Sequence, residues 1–455
     1  MKESNATENL INLLEQVKAA ITEEDLQQAR LSLLDYLGVT LGGEGKMAVF
    51  LGDNGDNNEL LSIAEKAFKN GFYGHYLELD DGHRQGMCHP GVPIFSALLP
   101  MAAAGDISGE RLLQAAILGY EATLRLACSV QPSHKKKGFH TSATCGTVGV
   151  AVAVSYLRNY SREQLQRAIT AAVTYTGGTL LLQDDQSEMK PVNLGRAAAC
   201  GIMAADAGKL PLVFPHDAIG GSRGFLELYT DTPKEECFFQ KPGEKPMIHG
   251  IYRKIHGACR HAHPPIDCVL KIKKTRDIKP EEIRKIQVAT HQLAIAGHDH
   301  QVCENGSVAK LSIPYGVACA IVFSHVSESA FEKATLENPV ITNLAKKVFV
   351  TEDEEMTKAL PKERGALVVI TLEDGTKEKA QVTIPRGEPE TPFTIEELLG
   401  KAMRLLRNAG IEEKTCKRIC QGCLDFGRQE LGEDRGYAIS LYETIAQAKK
   451  EIKRG

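Results

Sequence analysis

The sequence has no stretch of about 18 consecutive apolar residues, so no membrane-spanning helix is expected and the membrane is not an expected partner. It has no run of Lys and Arg that would form a basic stripe, which argues against nucleic acid as a partner. The densest cationic cluster, Lys135–Lys137, reads as a solvated loop in a chain whose formal net charge is −4. The N-terminal text MKESNATENLINLLEQV lacks a secretory apolar core and a small-residue cleavage pattern. Internal repeats and low-complexity linkers are also missing. With twelve cysteines and no secretory signature, the expectation is a reducing, cytoplasmic setting with free thiols rather than a disulfide framework.

What is present is an ordinary soluble composition: 455 residues, 43% apolar and 25% charged. That length supports two domains. The first 240 or so residues read mostly as helix. Thr22 is placed to cap EEDLQQARLSLLDYLGVTL, with Gly42–Gly43 as the expected stop. GERLLQAAILGYEATLRLACSV is strongly periodic, and CGTVGVAVAVSYLRNY is apolar on nearly every side, as a buried helix would be. SREQLQRAITAAVTYTGG carries a capping box at Ser161 and Gln164, and NLGRAAACGIMAADAGKL is Ala/Gly-rich. The texture changes near Pro264–Pro265. EEIRKIQVATHQLAIA begins helical and turns β-like, and GALVVITLEDGTKEKAQVTIP alternates around Asp374–Gly375 as a hairpin does. Thr394 and Glu397 then open a further helix. The expected fold is mainly α with an α+β part: a helical domain from residues 1–265 and 394–455, and a smaller α+β lid domain, 266–393, inserted between them.

Five polar clusters interrupt this apolar text. Cys416, Cys420 and Cys423 have a spacing known from iron–sulfur ligation, but offsets of four and three inside a helical segment put the thiols on one packed helix face. LELDDGHRQGMCHPG combines Glu78, Asp80, Asp81, His83, Arg84 and His89 in a Gly/Pro-rich loop; a metal site, an acid–base loop and a solvated turn are all open to it. KKKGFHTSATCGTVG sets His140 at the entrance of the buried helix, as a capping residue or as a base tuned by partial burial. SEMKPVNLGRAA places Lys190 just before a helix, where it would strengthen an anion site. IYRKIHGACRHAHPP crowds His256, Arg260, His261 and His263 together. Their spacing, with no interleaved carboxylate, favours anion recognition over a metal or a structural turn, and Arg260 suits bidentate carboxylate binding.

In order and rough spacing these phrases resemble the MmgE/PrpD family, which includes 2-methylcitrate dehydratase, cis-aconitate decarboxylase and iminodisuccinate epimerase. FKNGFYGHYLELDDGH is similar to the family's "NG…HALDFDD", with HPG following. GFHTSATCGTVG, KPVNLGRAA, RKIHGACRHAHPPIDCVL and AKLSIPYGVA resemble its later phrases, the last spanning Lys310–Tyr315. The chain departs from the family text at Gly82–His83, where a threonine is usual, and at Glu78, where an aspartate is usual. The resemblance implies a large helical domain with a smaller lid, a homodimer, and a site between the domains without a required metal or other cofactor. It points to Asp80 or Asp81, His89, His140, Lys190, the Arg260–His261 segment and Tyr315.

The family's reactions labilise a bond at a carbon next to a carboxylate or imine, and the resulting carbanion needs nearby positive charge. Lys190, Arg260 and Arg84 are expected to supply it, with Lys310 and His261 also binding substrate. His140 is the first choice of base; Tyr315, His89 or His261 would protonate a leaving hydroxide. Asp80 and Asp81 would orient a histidine or hold substrate hydroxyls. The expected function is a hydro-lyase acting on a small di- or tricarboxylate. The alternatives are a decarboxylase of a cis-aconitate-like acid, an epimerase or isomerase with His83 and His140 on opposite faces of one carbon, and a noncatalytic metabolite-binding scaffold.

Overall fold

The computed structural model describes residues 5–47, 61–105, 107–183, 187–241, 243–295, 297–428 and 434–452. It is mainly α with a smaller α+β part, and its apolar residues form two principal cores. One gathers buried side chains from Ala6 to Ile251 and again from Leu398 to Ile452; the other runs from Ala258 to Val382. Among the described residues no helix is long and apolar enough to cross a membrane.

Local signals place the helices of the first core. Thr22 and Asp25 bond reciprocally at the start of the helix Glu23–Met47, and Ser161 with Gln164 forms the capping box of Arg162–Tyr175. The helix Thr141–Leu157 is buried at all but one of its positions, as its uniformly apolar text requires. Cys416, Cys420 and Cys423 pack into the core on one face of the helix Glu413–Asp425.

Gly42–Gly43 does not stop its helix, which continues to Met47. The glycines serve a close crossing instead: a Cβ on Gly43 would stand 2.2 Å from the Tyr73 carbonyl oxygen. A second such crossing positions the site. Gly71, in the helix Ile63–Tyr76, meets Gly195, in the helix Val192–Ala207, so closely that a Cβ on Gly71 would lie 2.7 Å from the Gly195 Cα. His75 and Lys190 belong to, or directly precede, these two helices.

The second core is built on four strands, β3 (Ile283–Thr290), β4 (Val348–Glu352), β5 (Ala366–Leu372) and β6 (Lys377–Val382), in the order β4-β3-β5-β6. The β3/β4 pair is parallel and the other pairs are antiparallel. Asp374–Gly375 makes the β5–β6 turn, with Gly375 at φ 87°. The helical start expected for EEIRKIQ is reduced to the single turn Pro280–Glu282 before β3, because Ile283, Ile286 and Val288 are drawn into the sheet core. Pro264 and Pro265 open the helix His263–Thr275, where missing amide hydrogens cost nothing. A two-stranded ribbon, β1 (Gly82–His83) with β2 (Ile251–Tyr252), ties the HRQGMCHPG loop to the segment that leads into the second core.

The crossing at Gly71 predicts that Gly71→Ala destabilises the protein by about 1–3 kcal/mol through overpacking. Gly400→Ala, in a helix with nothing within 4 Å of the new methyl, is expected to stabilise by about 0.5–1 kcal/mol. Chemical denaturation of both variants checks the pair; equal shifts would show that the crossing is not tight.

Candidate active site

The geometry starts at Glu78. Its backbone lies at φ 54°, left-handed territory that costs a non-glycine residue on the order of 1–2 kcal/mol. Lys254 holds it there: its ammonium donates to the Glu78 carbonyl oxygen at 2.9 Å and to the carboxylate at 3.3 Å. Lys190 completes the grip from the other side of the same carboxylate. Burial alone would raise the Glu78 pKa, but the two ammonium groups overcome it and hold the carboxyl well below its ordinary value.

Beside this triplet stand three imidazoles. His75 donates from Nδ1 to the Asp80 carboxylate at 2.8 Å. His89 Nδ1 lies 2.6 Å from the Asp81 carbonyl oxygen and 3.3 Å from Asp80. A carbonyl can only accept, so Nδ1 of His89 carries the hydrogen and Nε2 keeps its lone pair. His140 is arranged the other way. The Asn193 amide donates to the Thr179 carbonyl at 3.1 Å and to His140 Nδ1 at 3.0 Å. Nδ1 is thus the acceptor, and the neutral ring carries its hydrogen on Nε2. Burial lowers the pKa of both rings, of His89 to about 3 and of His140 well below the usual value, with Lys190 adding to the effect on each.

Asp80 and Asp81, adjacent in sequence, have different environments. Burial works against ionisation of Asp80, yet His75 and His89 hold it ionised below its ordinary range. Asp81 turns into the helical core. It accepts from the Tyr120 hydroxyl at 2.6 Å and from the Gly91 amide at 3.1 Å, and burial raises its pKa to about 7.

The second core contributes another wall. Lys310 reaches across to the Tyr76 carbonyl at 2.6 Å and sits 4.4 Å over the Tyr76 ring. Burial lowers its pKa to about 8, with Glu78 opposing. Lys310 lines a cleft with His75, Glu78, Glu188 and Lys190. The Cys259 amide donates to the Lys310 carbonyl at 2.7 Å, and the Cys259 sulfur lies 3.3 Å from His298 Nε2. His261 packs edge-on against His298 and His291, and its Nδ1 is buried without a hydrogen-bond partner among the described residues. Lys135 is no solvated loop residue: burial lowers its pKa, and Cys259, Arg364 and Lys190 are among the charges it meets.

Not every residue singled out from sequence comes here. Tyr315 lies in the second core, its hydroxyl donating to the Ala330 carbonyl at 2.7 Å and its ring against Phe331. Arg260 is saturated by Glu388 and by the Pro385 and Arg386 carbonyls, and stacks 4.6 Å over Tyr252. Arg84 pairs with Glu390 and Glu388. His83 accepts from the Gly86 amide at 3.0 Å, and burial near Arg364 and Arg84 lowers its pKa to about 3. His256 pairs with Asp267 at 3.0 Å. In contrast, Lys254, His75, Asn193, Cys259 and His298 enter the cluster without having been singled out as site residues. Lys254 and Cys259 stand inside the quoted IYRKIHGACRHAHPP phrase. His75 and Asn193 lie in the FKNGFYGHY and KPVN phrases, whereas nothing around His298 marked it.

Among the described residues two triplets bring donor atoms within 4.8 Å of one another: His75, Asp80 and His89, and Cys259, His261 and His298. Ammonium groups surround both, Lys190 and Lys254 at the first and Lys135 and Lys190 at the second. Hydrogen bonds already join the donors in pairs. At the first triplet the Glu78 and Asp80 carboxylates balance the two ammonium groups; at the second, like-charge repulsion disfavours a dication and the charge suits an anion.

The buried neutral histidines predict a pH dependence of stability. His83, His89, His140, His261 and His263 all have folded pKa values below the ordinary 6.5 because of burial. As pH falls through 6.5 the unfolded chain takes up protons that the folded chain refuses, so stability present above 6.5 is lost toward about pH 3. Asp81 opposes this, since its raised pKa favours the folded state as pH falls from about 7 toward 3.8. Glu121, also raised by burial, acts as Asp81 does, but His134 and His291 are lowered like the other five rings, so two groups stand against seven. Urea denaturation is expected to give a clearly lower midpoint at about pH 5 than at about pH 7.5, and His83→Gln is expected to flatten that slope. A pH-independent midpoint would mean that these rings are charged in the folded protein.

Comparison with known proteins places this geometry. Residues 55–237 match the MmgE/PrpD N-terminal domain and residues 256–425 match the MmgE/PrpD C-terminal domain. A cis-aconitate decarboxylase-like protein of Aspergillus oryzae is 24% identical over 92% of this chain and 93% of its own length. The cis-aconitate decarboxylase of Aspergillus terreus is 26% identical over 79% of the chain and 77% of its own length. The human cis-aconitate decarboxylase is 25% identical over 62% and 60% respectively. Both family domains are matched, in order and across most of the residues that build the two cores and the cleft: the chain belongs to the MmgE/PrpD family.

Proposed function

We propose that the cleft binds a small di- or tricarboxylate and that the protein is a lyase acting at a carbon next to a carboxylate, with dehydration as its reaction. The observation that supports this most directly is the complementary pair of imidazoles. His89 offers a bare Nε2 and His140 an Nε2–H, and both stand beside the ammonium groups at Glu78.

His89 takes the proton from the carbon next to the carboxylate. The electron pair moves into an enediolate whose charge is met by Lys190 and Lys310, with Lys254 fixing Glu78 behind them. His140 donates from Nε2 to the departing hydroxyl. These roles reverse the first expectation, in which His140 was the base, because Asn193 occupies the His140 lone pair that a base would use. Burial is the main cause of the low His89 pKa and Lys254 and Lys190 add to it; a bound dianion offsets the lysine part and raises the pKa of the ring. Asp80 orients His75 and His89, and Asp81 anchors the loop on Tyr120 and Gly91, a positioning role.

Decarboxylation is the second reading, favoured by the names of the relatives. The same lysines would hold the carbanion left by carbon dioxide, and His140 would protonate it. The twelve unpaired cysteines support a reducing, cytoplasmic setting. Exposed apolar side chains, Leu212 at 62% and Val213 at 102% of full exposure, support the homodimer implied by the family.

A panel of citrate-like acids, hydroxy-dicarboxylates and imino-diacids tests the reading in heavy water. Dehydration yields an ultraviolet-absorbing unsaturated acid, decarboxylation releases carbon dioxide, and epimerisation incorporates deuterium with neither. His89→Ala, His140→Ala and Lys190→Ala are each expected to lower kcat/KM by about 10²–10⁴-fold with the helical content retained by circular dichroism, Lys190→Ala at a lower stability because it leaves Glu78 with one cation fewer. Wild-type rates in any of them would remove that residue from the chemistry. Light scattering is expected to give a dimer that Val213→Asp converts to monomer; a monomeric wild type would refute the assembly.

A further inference from the structure

Cys259 differs from most cysteines of the chain. Burial raises the pKa of Cys88, Cys145, Cys268, Cys319, Cys416, Cys420 and Cys423. Burial also pushes Cys259 upward, but His298 and Lys190 overcome it and bring the thiol down to about 6. The geometry is independent of that value. The sulfur is hydrogen-bonded to His298 Nε2 at 3.3 Å. The amide of the same residue is bonded to the carbonyl of Lys310, whose ammonium lines the cleft. The charged groups around the sulfur are His298, Lys190, Glu78 and Lys135. Cys259 is only partly buried, and the buried Nδ1 of His261, unpartnered among the described residues, lies on the same wall. The mechanism derived above uses neither Cys259, His298 nor His261.

We propose that Cys259 and His298 form a thiolate–imidazole proton-transfer pair that acts on the substrate from the wall supplied by the second core, as the counterpart of His89. The proposal rests on the carboxylate-lyase reading. On this wall the C–H bond breaks and an S–H bond forms, while the electron pair stays on the substrate as the enediolate. His298 Nε2–H donates to the sulfur while it is anionic and so steadies the thiolate, and in reverse the S–H bond breaks and returns its proton to carbon. No oxidant or metal is consumed. The lysines that would repel a dication are the charges that keep the sulfur anionic, so an ionised thiol and a carboxylate substrate suit the same field.

Titration of thiolate ultraviolet absorbance in the intact protein, wild type minus Cys259→Ser, is expected to show one thiolate with a midpoint near 6. His298→Gln is expected to move that midpoint toward the ordinary 9.0. Iodoacetamide at neutral pH is expected to label Cys259 first, and the saturated tricarboxylate tricarballylate to protect it. Cys259→Ser and Cys259→Ala are expected to lower kcat by about 100-fold or more with KM changed little. A midpoint at the ordinary thiol value, or variants with wild-type kcat on an acid that the wild type turns over, would overturn the pair and leave the lyase reading standing. A wild type inert on every carboxylate would overturn both. Stoichiometric Co²⁺ binding with a thiolate charge-transfer band lost in Cys259→Ser would replace the pair with a metal site.

Discussion

A carboxylate taken out of water survives as an anion only if cations are brought to it, and breaking such a set leaves an uncompensated buried charge that costs several kcal/mol. Glu78 imposes that condition on this molecule. Its two partners come from far along the chain, Lys190 just before one helix and Lys254 just after β2. Satisfying the carboxylate therefore fixes three segments together. Lys254 also holds the carbonyl of the same residue, so the unusual backbone turn and the ion pair are one constraint. The positions of Asp80, Asp81 and His89 follow from that turn, because they leave it within the next eleven residues.

The helical scaffold lets the constraint be met. Lys190 can approach Glu78 because the helix before Glu78 and the helix after Lys190 touch at Gly71 and Gly195 with no side chain between them. The ribbon β1–β2 delivers the Lys254 segment from the other direction. The cleft is thus assembled by backbone-level contacts, and its polar side chains are inserted into a frame that apolar packing has already set. That division explains why a strongly polar cluster exists inside an Ala/Gly/Val-rich text.

The elements were legible wherever the signal was local. The capping boxes at Ser161 and Thr394, the hairpin at Asp374–Gly375 and the buried helix after His140 could all be read from neighbouring residues. Gly42–Gly43 misleads because a glycine pair reads as a stop, whereas its use here is set by Tyr73, some thirty residues away. The site shows the same boundary. His89, His140 and Lys190 were legible because histidine and lysine are conspicuous in apolar surroundings. Arg260 is equally conspicuous, but Glu388 absorbs it, and no neighbouring residue announces Glu388. Tyr315 is taken by a carbonyl fifteen residues on. Lys254 was hidden for the opposite reason: an ordinary lysine in a crowded phrase, it matters only through Glu78. The tautomers of His89 and His140 depend on a carbonyl and an amide whose positions only the fold reveals.

Lys310 stands on the second core while the oxygen and ring it touches belong to Tyr76 on the helical side. It is a latch across the cleft, and its grip depends on a proton. With its pKa brought down to about 8 by burial, the amine loses its charge in mildly alkaline solution. The attraction to the Tyr76 ring then disappears, and the bond to its carbonyl weakens to that of a neutral donor. An arriving anion acts in the opposite sense, since it favours the protonated amine and so tightens the latch as it binds. The contact between the two cores at this point thus depends on one hydrogen ion.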